Sequence, residues 1–477
     1  MATPPQPWWS GGVLYQAYPR SFADSNGDGI GDLPGVRERL DYLHWLGVDG
    51  IWLNPTFPSP NRDWGYDVAD YFDVHPDFGT LDDLDALIAA AGEFGIRILL
   101  DLVPAHTSDR HTWFSDSRSS RESPRRPWYI WRDEAGEQES VFGGKAWTYD
   151  ERTGQYYHHL FLSEQPDLNW MLPEVRDAFD EILGFWFDRG VAGFRIDVVH
   201  ELVKDPPSRP NRAEIHDVLR RWRSLARGYD PERLLVGETW VMELDELARF
   251  YGSNDELQLA FNFPFMFAGL DASALEDVVT RTEAVLPAGA LPVWALSNHD
   301  VVRFPTRMCD EDEAKVRAAL LMLLTLRGTS FLYYGDELGM RQVDIPADRV
   351  RDVHDRDGAR TPLPWGDAEW RDPWLPLGAN VATVAEQRAD PGSVLSFCRE
   401  AIALRRGRED LVSGDYVPIT SPTGVWAWRR GRDTGIALNL TDSEATVPLT
   451  GQVLLSTKGR DDPARLEPWE GVVVALS

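Results

Sequence analysis

The sequence predicts an α/β fold: a (β/α)8 TIM barrel with a loop-rich subdomain inserted after the third strand and a small antiparallel β-sandwich at the C-terminus. Three observations carry this prediction. Short β-type runs alternate with amphipathic helical patterns, an order that builds a parallel sheet. Strand candidates number eight, enough to close a barrel. Near residue 409 the pattern changes to short alternating strands with Gly and Pro turns, as in a sandwich.

The first strand is VLYQAYPRSF, followed by a helix over 34–46, the second strand VDGIWLNP, a helix over 81–94 and the third strand IRILLDLVP. The rhythm then breaks into a polar, aromatic stretch holding Pro124, Arg125, Arg126, Pro127 and the Gly143–Gly144 pair. Pro and Gly punctuate regular elements, so this stretch reads as the insertion. Alternation resumes with a helix near 174–188, GFRIDVV, a helix over 211–227, LLVGET, LQLAFNF, a helix over 273–285, LPVWALSNHD, a helix over 311–327 and TSFLYYGDEL. A last helix, about 393–407, seals the barrel, and VWAWRR, TGIALNL and GVVVAL follow as sandwich strands. The boundaries are 1–104 and 171–408 for the two parts of the barrel, 105–170 for the insertion and 409–477 for the sandwich.

At 477 residues, with 43% hydrophobic and 26% charged content, the chain has the composition of an ordered globular protein. Its formal charge, 48 minus 77 or −29, excludes nucleic acid and anionic membrane surfaces as natural partners. Only Cys309 and Cys398 occur, so no disulfide framework or Cys-rich zinc site is expected and a reducing compartment fits. MATPPQPWWSGG has neither the basic nor the apolar region of a leader, and no window reaches the apolar length of a membrane span; a cytoplasmic protein is expected. The sequence leaves the oligomeric state open.

In such a barrel the chemistry gathers at the carboxyl ends of the strands. There DLVPAH offers Asp101 and His106, GFRIDVVH offers Arg195, Asp197 and His200, GET offers Glu238, and SNHD offers His299 and Asp300. One Arg-x-Asp alone would be an ion pair fixing strand register, and one terminal acid alone a helix cap. Acids and imidazoles from four strands point jointly to a catalytic site. Without a Cys/His metal set, phosphate loop or Ser–His pair, three carboxylates suggest glycoside hydrolysis, with one carboxylate as nucleophile and another as general acid. Asp197 suits the nucleophile, with Arg195 expected to lower its pKa and keep it ionised. Glu238 suits the acid/base, its pKa raised by nearby charge and partial desolvation. Asp300, His299 and His106 would hold sugar hydroxyls and favour a distorted ring.

DLVPAH, GFRIDVVH, GET and SNHD resemble, in order, the four signature regions of the α-amylase superfamily, glycoside hydrolase family 13. The resemblance implies Asp197 as nucleophile, Glu238 as acid/base and Asp300 as transition-state stabiliser, with retention through a covalent glycosyl-enzyme. QPDLNW, residues 165–170, resembles the fifth signature of the oligo-1,6-glucosidase and α-glucosidase branch, which implies an exo-acting enzyme on short α-glucosides. The positions matching that branch's first glucose pocket are Asp63, Tyr66, His106, Phe142, Arg195, His299 and Arg360. Asp63 and Arg360 would close the pocket around the nonreducing-end hydroxyls, with Tyr66 and Phe142 as ring-stacking surface. Val198, after the nucleophile, resembles α-1,6-acting members, so the expected preference is α-1,6 or broad. Ala105 stands where the family usually has Asn, often a calcium ligand in α-amylases, which argues against a calcium ion between barrel and insertion. The shortness of the sandwich argues against a starch-binding role.

DSNGDGIGD, residues 24–32, places Asp24, Asn26, Asp28 and Asp32 at alternating positions with glycines between. These are hard oxygen ligands on a tight loop, suited to Ca2+, with Mg2+ or a metal-free Asx turn as alternatives. Gly35 at the twelfth position excludes an EF-hand. The loop resembles the structural calcium site of the same branch, which adds the Ile30 carbonyl. Two functional rivals remain. One is a transglucosylase or sugar isomerase on the same glycosyl-enzyme, although VVRFPTRM lacks the arginine-rich pattern of sucrose isomerases. The other is a catalytically inactive sugar-binding relative, against which the three intact carboxylates stand.

Overall fold

The computed structural model describes residues 6–204, 213–366, 370–378 and 381–477. The first two positions of the helix expected over 211–227, and the first five of the N-terminal stretch, lie outside the described residues. Eight parallel strands run at Val13–Ala17, Gly50–Leu53, Arg97–Leu102, Gly193–Ile196, Leu234–Gly237, Leu259–Ala260, Val293–Ala295 and Thr329–Tyr333. Each pairs with the next, the eighth pairs with the first, and a parallel bridge between Phe261 and Val293 joins the sixth to the seventh. The sheet therefore closes on itself, as a set of eight strands allows.

Side chains alternate across this wall. Val13, Tyr15 and Ala17 pack in the outer layer, while Leu14 joins Trp52, Leu99, Leu234, Val236, Leu259, Val293 and Phe331 inside the barrel. The same period of two sends Leu100 and Leu102 outward and leaves Asp101 inside; Phe194 and Ile196 go outward and Arg195 inward. Register then sets Asp101, Arg195 and Val236 side by side on neighbouring strands. Apolar layers fill the barrel, and the charged layer stands on top of them at the carboxyl ends.

The helix expected over 34–46 is two helices, Leu33–Glu38 and Leu40–Leu46, with the break at Arg39. The helix Leu81–Glu93 starts on a capping box between Thr80 and Asp83, which satisfies N–H groups that the first turn leaves free. Within the insertion, Trp131–Arg132, Gln155–His158 and Trp147–Asp150 form a three-stranded antiparallel sheet in that order. At the C-terminus a five-stranded antiparallel sheet uses both faces. Val425, Ala427, Ala437, Val472 and Val474 pack with Val447, Leu449 and Leu466 near the small two-stranded sheet. Trp426, Trp428, Ile436, Leu438 and Val473 join the main core. Among the described residues no helix is long and apolar enough to cross a membrane.

Candidate active site

Arg195 is the centre of the site, 1% exposed and surrounded by acids. Its Nη1 donates to Asp101 Oδ1 at 2.8 Å and to Asp197 Oδ1 at 2.7 Å, and its Nη2 donates to Glu238 Oε2 at 2.7 Å. The Val198 N–H adds a second bond to Glu238 Oε2, at 2.9 Å. To aim it there the chain takes φ 42, ψ 41 at Val198, a left-handed conformation that a β-branched residue adopts only under strain. Asp197 and Glu238 thus sit on two nitrogens of one guanidinium.

Arg195 does pull the Asp197 pKa down, as expected, but shared among three acids it does not bring the carboxyl below its ordinary range. Burial pushes the Asp197 carboxyl well above the ordinary carboxylate range; Arg195 opposes this, and Glu238 and Asp101 reinforce it. Burial likewise lifts Asp101 to about 6 against the pull of Arg195. One cation is shared among three buried carboxyls, so Asp101 and Asp197 retain protons that an exclusive pair would have shed.

Asp300 has the opposite environment. Burial works to raise its pKa, but His299, Arg356 and Arg360 outweigh it and hold the carboxyl well below the usual range. His299 Nε2 lies 3.0 Å from Asp300 Oδ2 and 2.6 Å from the Tyr66 hydroxyl, and its ring stacks on Tyr66 at 5.3 Å. Its Nδ1 faces Gln16 Nε2 at 2.9 Å; with Gln16 donating, the ring proton is assigned to Nε2, toward Asp300. Burial lowers the pKa of His106 to about 4, so it is neutral at pH 7. Its Nδ1 has no hydrogen-bond partner among the described residues.

A cavity of about 650 Å3 opens over this cluster, and Asp63, Tyr66, His106, Phe142, Asp197, Glu238 and Asp300 all line it. Arg195, His299 and Arg360 do not reach its wall; they stand behind the residues that do. The expectation that Arg360 closes the pocket with Asp63 is corrected: Arg360 is fully buried and donates to the His299 carbonyl at 2.8 Å and to Asp300 Oδ1 at 3.0 Å. Arg356 takes the predicted place, donating to Asp63 Oδ1 at 2.5 Å and to Asp300 Oδ1 at 3.3 Å. A short 3-10 turn, Asp357–Ala359, separates the two arginines and buries the second. Phe142, from the insertion, stacks on His354 with ring centres 3.7 Å apart.

Sequence reasoning missed Arg356 and also Lys204. The Lys204 ammonium lies between the Ala105 carbonyl, at 3.4 Å, and the Asp167 carboxylate. A protein cation therefore joins barrel and insertion beside Ala105. The loop 24–32 holds itself by its own amides: Asp24 accepts from Asn26, Gly27 and Gly29, Asn26 from Asp28, and Asp28 from Ile30. Asp32 accepts from Gly35 and Ser25. The oxygen set suits a hard cation, but among the described residues no group of three or more His, Cys, Asp or Glu side chains converges as a metal site.

The model of the α-amylase catalytic domain matches residues 16–414. The glucan 1,6-alpha-glucosidase of Streptococcus dysgalactiae subsp. equisimilis is 36% identical, over 98% of this chain and 99% of that protein. The oligo-1,6-glucosidase of Parageobacillus thermoglucosidasius is 34% identical, over 98% and 99%. Among solved structures, the trehalulose synthase of Pseudomonas mesoacidophila MX-45 superposes with a TM-score of 0.93 at 32% identity, over 99% of this chain and 100% of that one.

Proposed function

The chain belongs to the α-amylase family of glycoside hydrolases, and from that premise we propose that it is a retaining, exo-acting α-glucosidase. It cleaves short α-glucosides from the nonreducing end, with α-1,6 or broad linkage preference. The observation that carries this reading is the placement of Asp197 and Glu238 on two nitrogens of Arg195, both opening into one cavity. Close carboxylates belong to retention, because a nucleophile must reach the anomeric carbon while the acid reaches the departing oxygen.

Glu238 gives its proton to the glycosidic oxygen as Asp197, ionised, attacks the anomeric carbon and forms a glucosyl ester. Water then enters, Glu238 takes its proton, and Asp197 is released with the α-configuration restored. Asp300, held as an anion by His299, Arg356 and Arg360, favours the positive charge that develops at the ring. Asp63, His106 and Arg356 hold hydroxyls, and Tyr66 offers a ring face to the sugar.

Incubation with maltose, isomaltose, sucrose, trehalose and a nitrophenyl α-glucoside tests the reading. Free α-glucose released together with its aglycone, with no transfer product, is the expected early outcome; a new disaccharide formed from sucrose instead would establish isomerisation, and no turnover would establish a binding protein. The loop 24–32 is the proposed seat of a structural Ca2+, or Mg2+, on Asp24, Asn26, Asp28, Asp32 and the Ile30 carbonyl. Its role is stability, so a chelator lowers the melting temperature; an unchanged melting curve refutes it. The two free buried thiols support a cytoplasmic location.

A further inference from the structure

We infer that Gln16 and Asn54, two buried amides behind the site, are positioning residues that fix which nitrogen of His299 carries its proton and so aim an N–H at Asp300. The inference rests on the α-glucosidase reading, in which Asp300 is an anion facing the sugar, and adds two residues to its machinery. Neither amide lines the cavity, so each acts through a neighbour.

Gln16 lies on the first strand, Val13–Ala17, where alternation turns it inward with Leu14. Asn54 follows the second strand and bonds its N–H to the Ala17 carbonyl. The two are 2% and 1% exposed, so their polar atoms must find partners inside the protein. Gln16 Nε2 donates to Asn54 Oδ1 at 2.8 Å and faces His299 Nδ1 at 2.9 Å. Asn54 Nδ2 in turn donates to the Tyr66 hydroxyl at 3.0 Å. His299 Nε2 meets the same hydroxyl at 2.6 Å and Asp300 Oδ2 at 3.0 Å. Tyr66, accepting from both, donates its own proton to Asp101 Oδ2 at 3.0 Å.

The donors thus run in one direction, from Gln16 outward to the two acids. Burial lowers the His299 pKa against the pull of Asp300, so at pH 7 the ring is neutral and holds one proton. Burial also keeps the Tyr66 hydroxyl well above the ordinary phenol value, so it remains a donor. With the ring proton on Nε2, His299 stabilises the Asp300 anion; with it on Nδ1, a bare lone pair would face a carboxylate. A donor at Nδ1 excludes the second arrangement, and among the described residues Gln16 is the one that bonds this nitrogen. Turning the Gln16 amide over would set its carbonyl against Asn54 Oδ1, so Asn54, tied to Tyr66, holds Gln16 as a donor.

Nitrogen-15 spectra of histidine-labelled protein read the tautomer, with His299→Gln identifying the resonance among the ten histidines. The proton is expected on Nε2 in the unmodified protein. Gln16→Met keeps the length and loses the donor, so the Nδ1–H form should appear and kcat/KM should fall about tenfold, less than the loss of a donor that itself touches the reacting charge. Gln16→Glu places a carboxylate at Nδ1 and raises the pKa of a ring otherwise faced by Asp300, Tyr66, Tyr18, Arg195 and Arg360. Below that pKa the imidazolium keeps its Nε2–H; above it the remaining proton sits on Nδ1. The variant should therefore show an alkaline limb in kcat/KM at lower pH than the unmodified protein. A ring proton on Nδ1 in the unmodified protein, an unchanged tautomer in Gln16→Met, or an unshifted pH profile in Gln16→Glu overturns the inference. Hydrolysis of no α-glucoside by the unmodified protein overturns the α-glucosidase reading instead, since the tautomer is read without substrate.

Discussion

Replacing Lys204 with Met removes a charge from the joint between insertion and barrel while keeping a chain of similar length. Lys204 and Asp167 are both fully buried. Asp167 also accepts from the Leu160 amide at 2.7 Å and faces His158 Nδ1 at 2.6 Å. Burial alone would raise the Asp167 pKa, but the Lys204 ammonium and His158 outweigh it and hold the carboxyl down at about 2. Against an unfolded value of ~3.9, that depression corresponds to about 2–3 kcal/mol of folding free energy at neutral pH. Breaking a buried pair from one side costs about 3–5 kcal/mol by general experience, so Lys204→Met should lose roughly 2–5 kcal/mol. The folded pKa lies below the unfolded one, so the stabilisation is complete above the unfolded value and fades as pH falls from ~4 toward ~2. Urea unfolding followed by tryptophan fluorescence at a series of pH values measures it. A variant within about 0.5 kcal/mol of the parent at pH 7, or a difference that grows on acidification, would refute the reasoning.

Three further outcomes follow from the site. Arg356→Ala removes the partner of Asp63 and should raise KM about tenfold or more with a smaller change in kcat, because ground-state and transition-state binding of the hydroxyls are lost together; steady-state kinetics on isomaltose reads it. Val198→Gly relieves a strained backbone worth about 1–3 kcal/mol and returns about 0.5–1 kcal/mol of that as glycine's unfolded freedom, so thermal unfolding should move upward without faster turnover. The raised Asp197 and Asp101 pKa values place the acid limb of kcat/KM well above the ~4 of a free carboxylate, since the cluster must shed a proton before Asp197 can attack; an acid limb at the ordinary value would contradict the shared-guanidinium picture.

Much of the fold was legible because barrel strands and their helices obey two different periods, and most of the predicted helices lie within two residues of their observed bounds. The exceptions have local causes. The break at Arg39 carries no Gly or Pro signal, and the sixth strand, LQLAFNF, shortens to Leu259–Ala260 with a single bridge at Phe261 before the chain turns into a helix capped by Asn262. The carboxyl-end acids were legible for the same reason as the strands, since alternation fixes which side chains enter the barrel. Side-chain partners were not. Arg356 and Arg360 read alike in DRDGARTP, and only the turn between them decides which one meets Asp63. Whether Arg195 serves one acid or three depends on strand register, which the sequence does not display. Lys204 lies seven positions beyond Asp197, past a turn whose exit only the packed structure fixes.

The nucleophilic role proposed for Asp197 requires that its carboxylate form the ester bond to glucose. Reaction with an activated fluoro-glucosyl label, followed by proteolysis and mass spectrometry of the peptides, tests it most directly. One labelled peptide is expected, containing GFRIDVVH and modified at Asp197, with loss of activity in step with labelling. A label on Glu238, Asp300 or any other residue, or full inactivation without a covalent adduct, would contradict it.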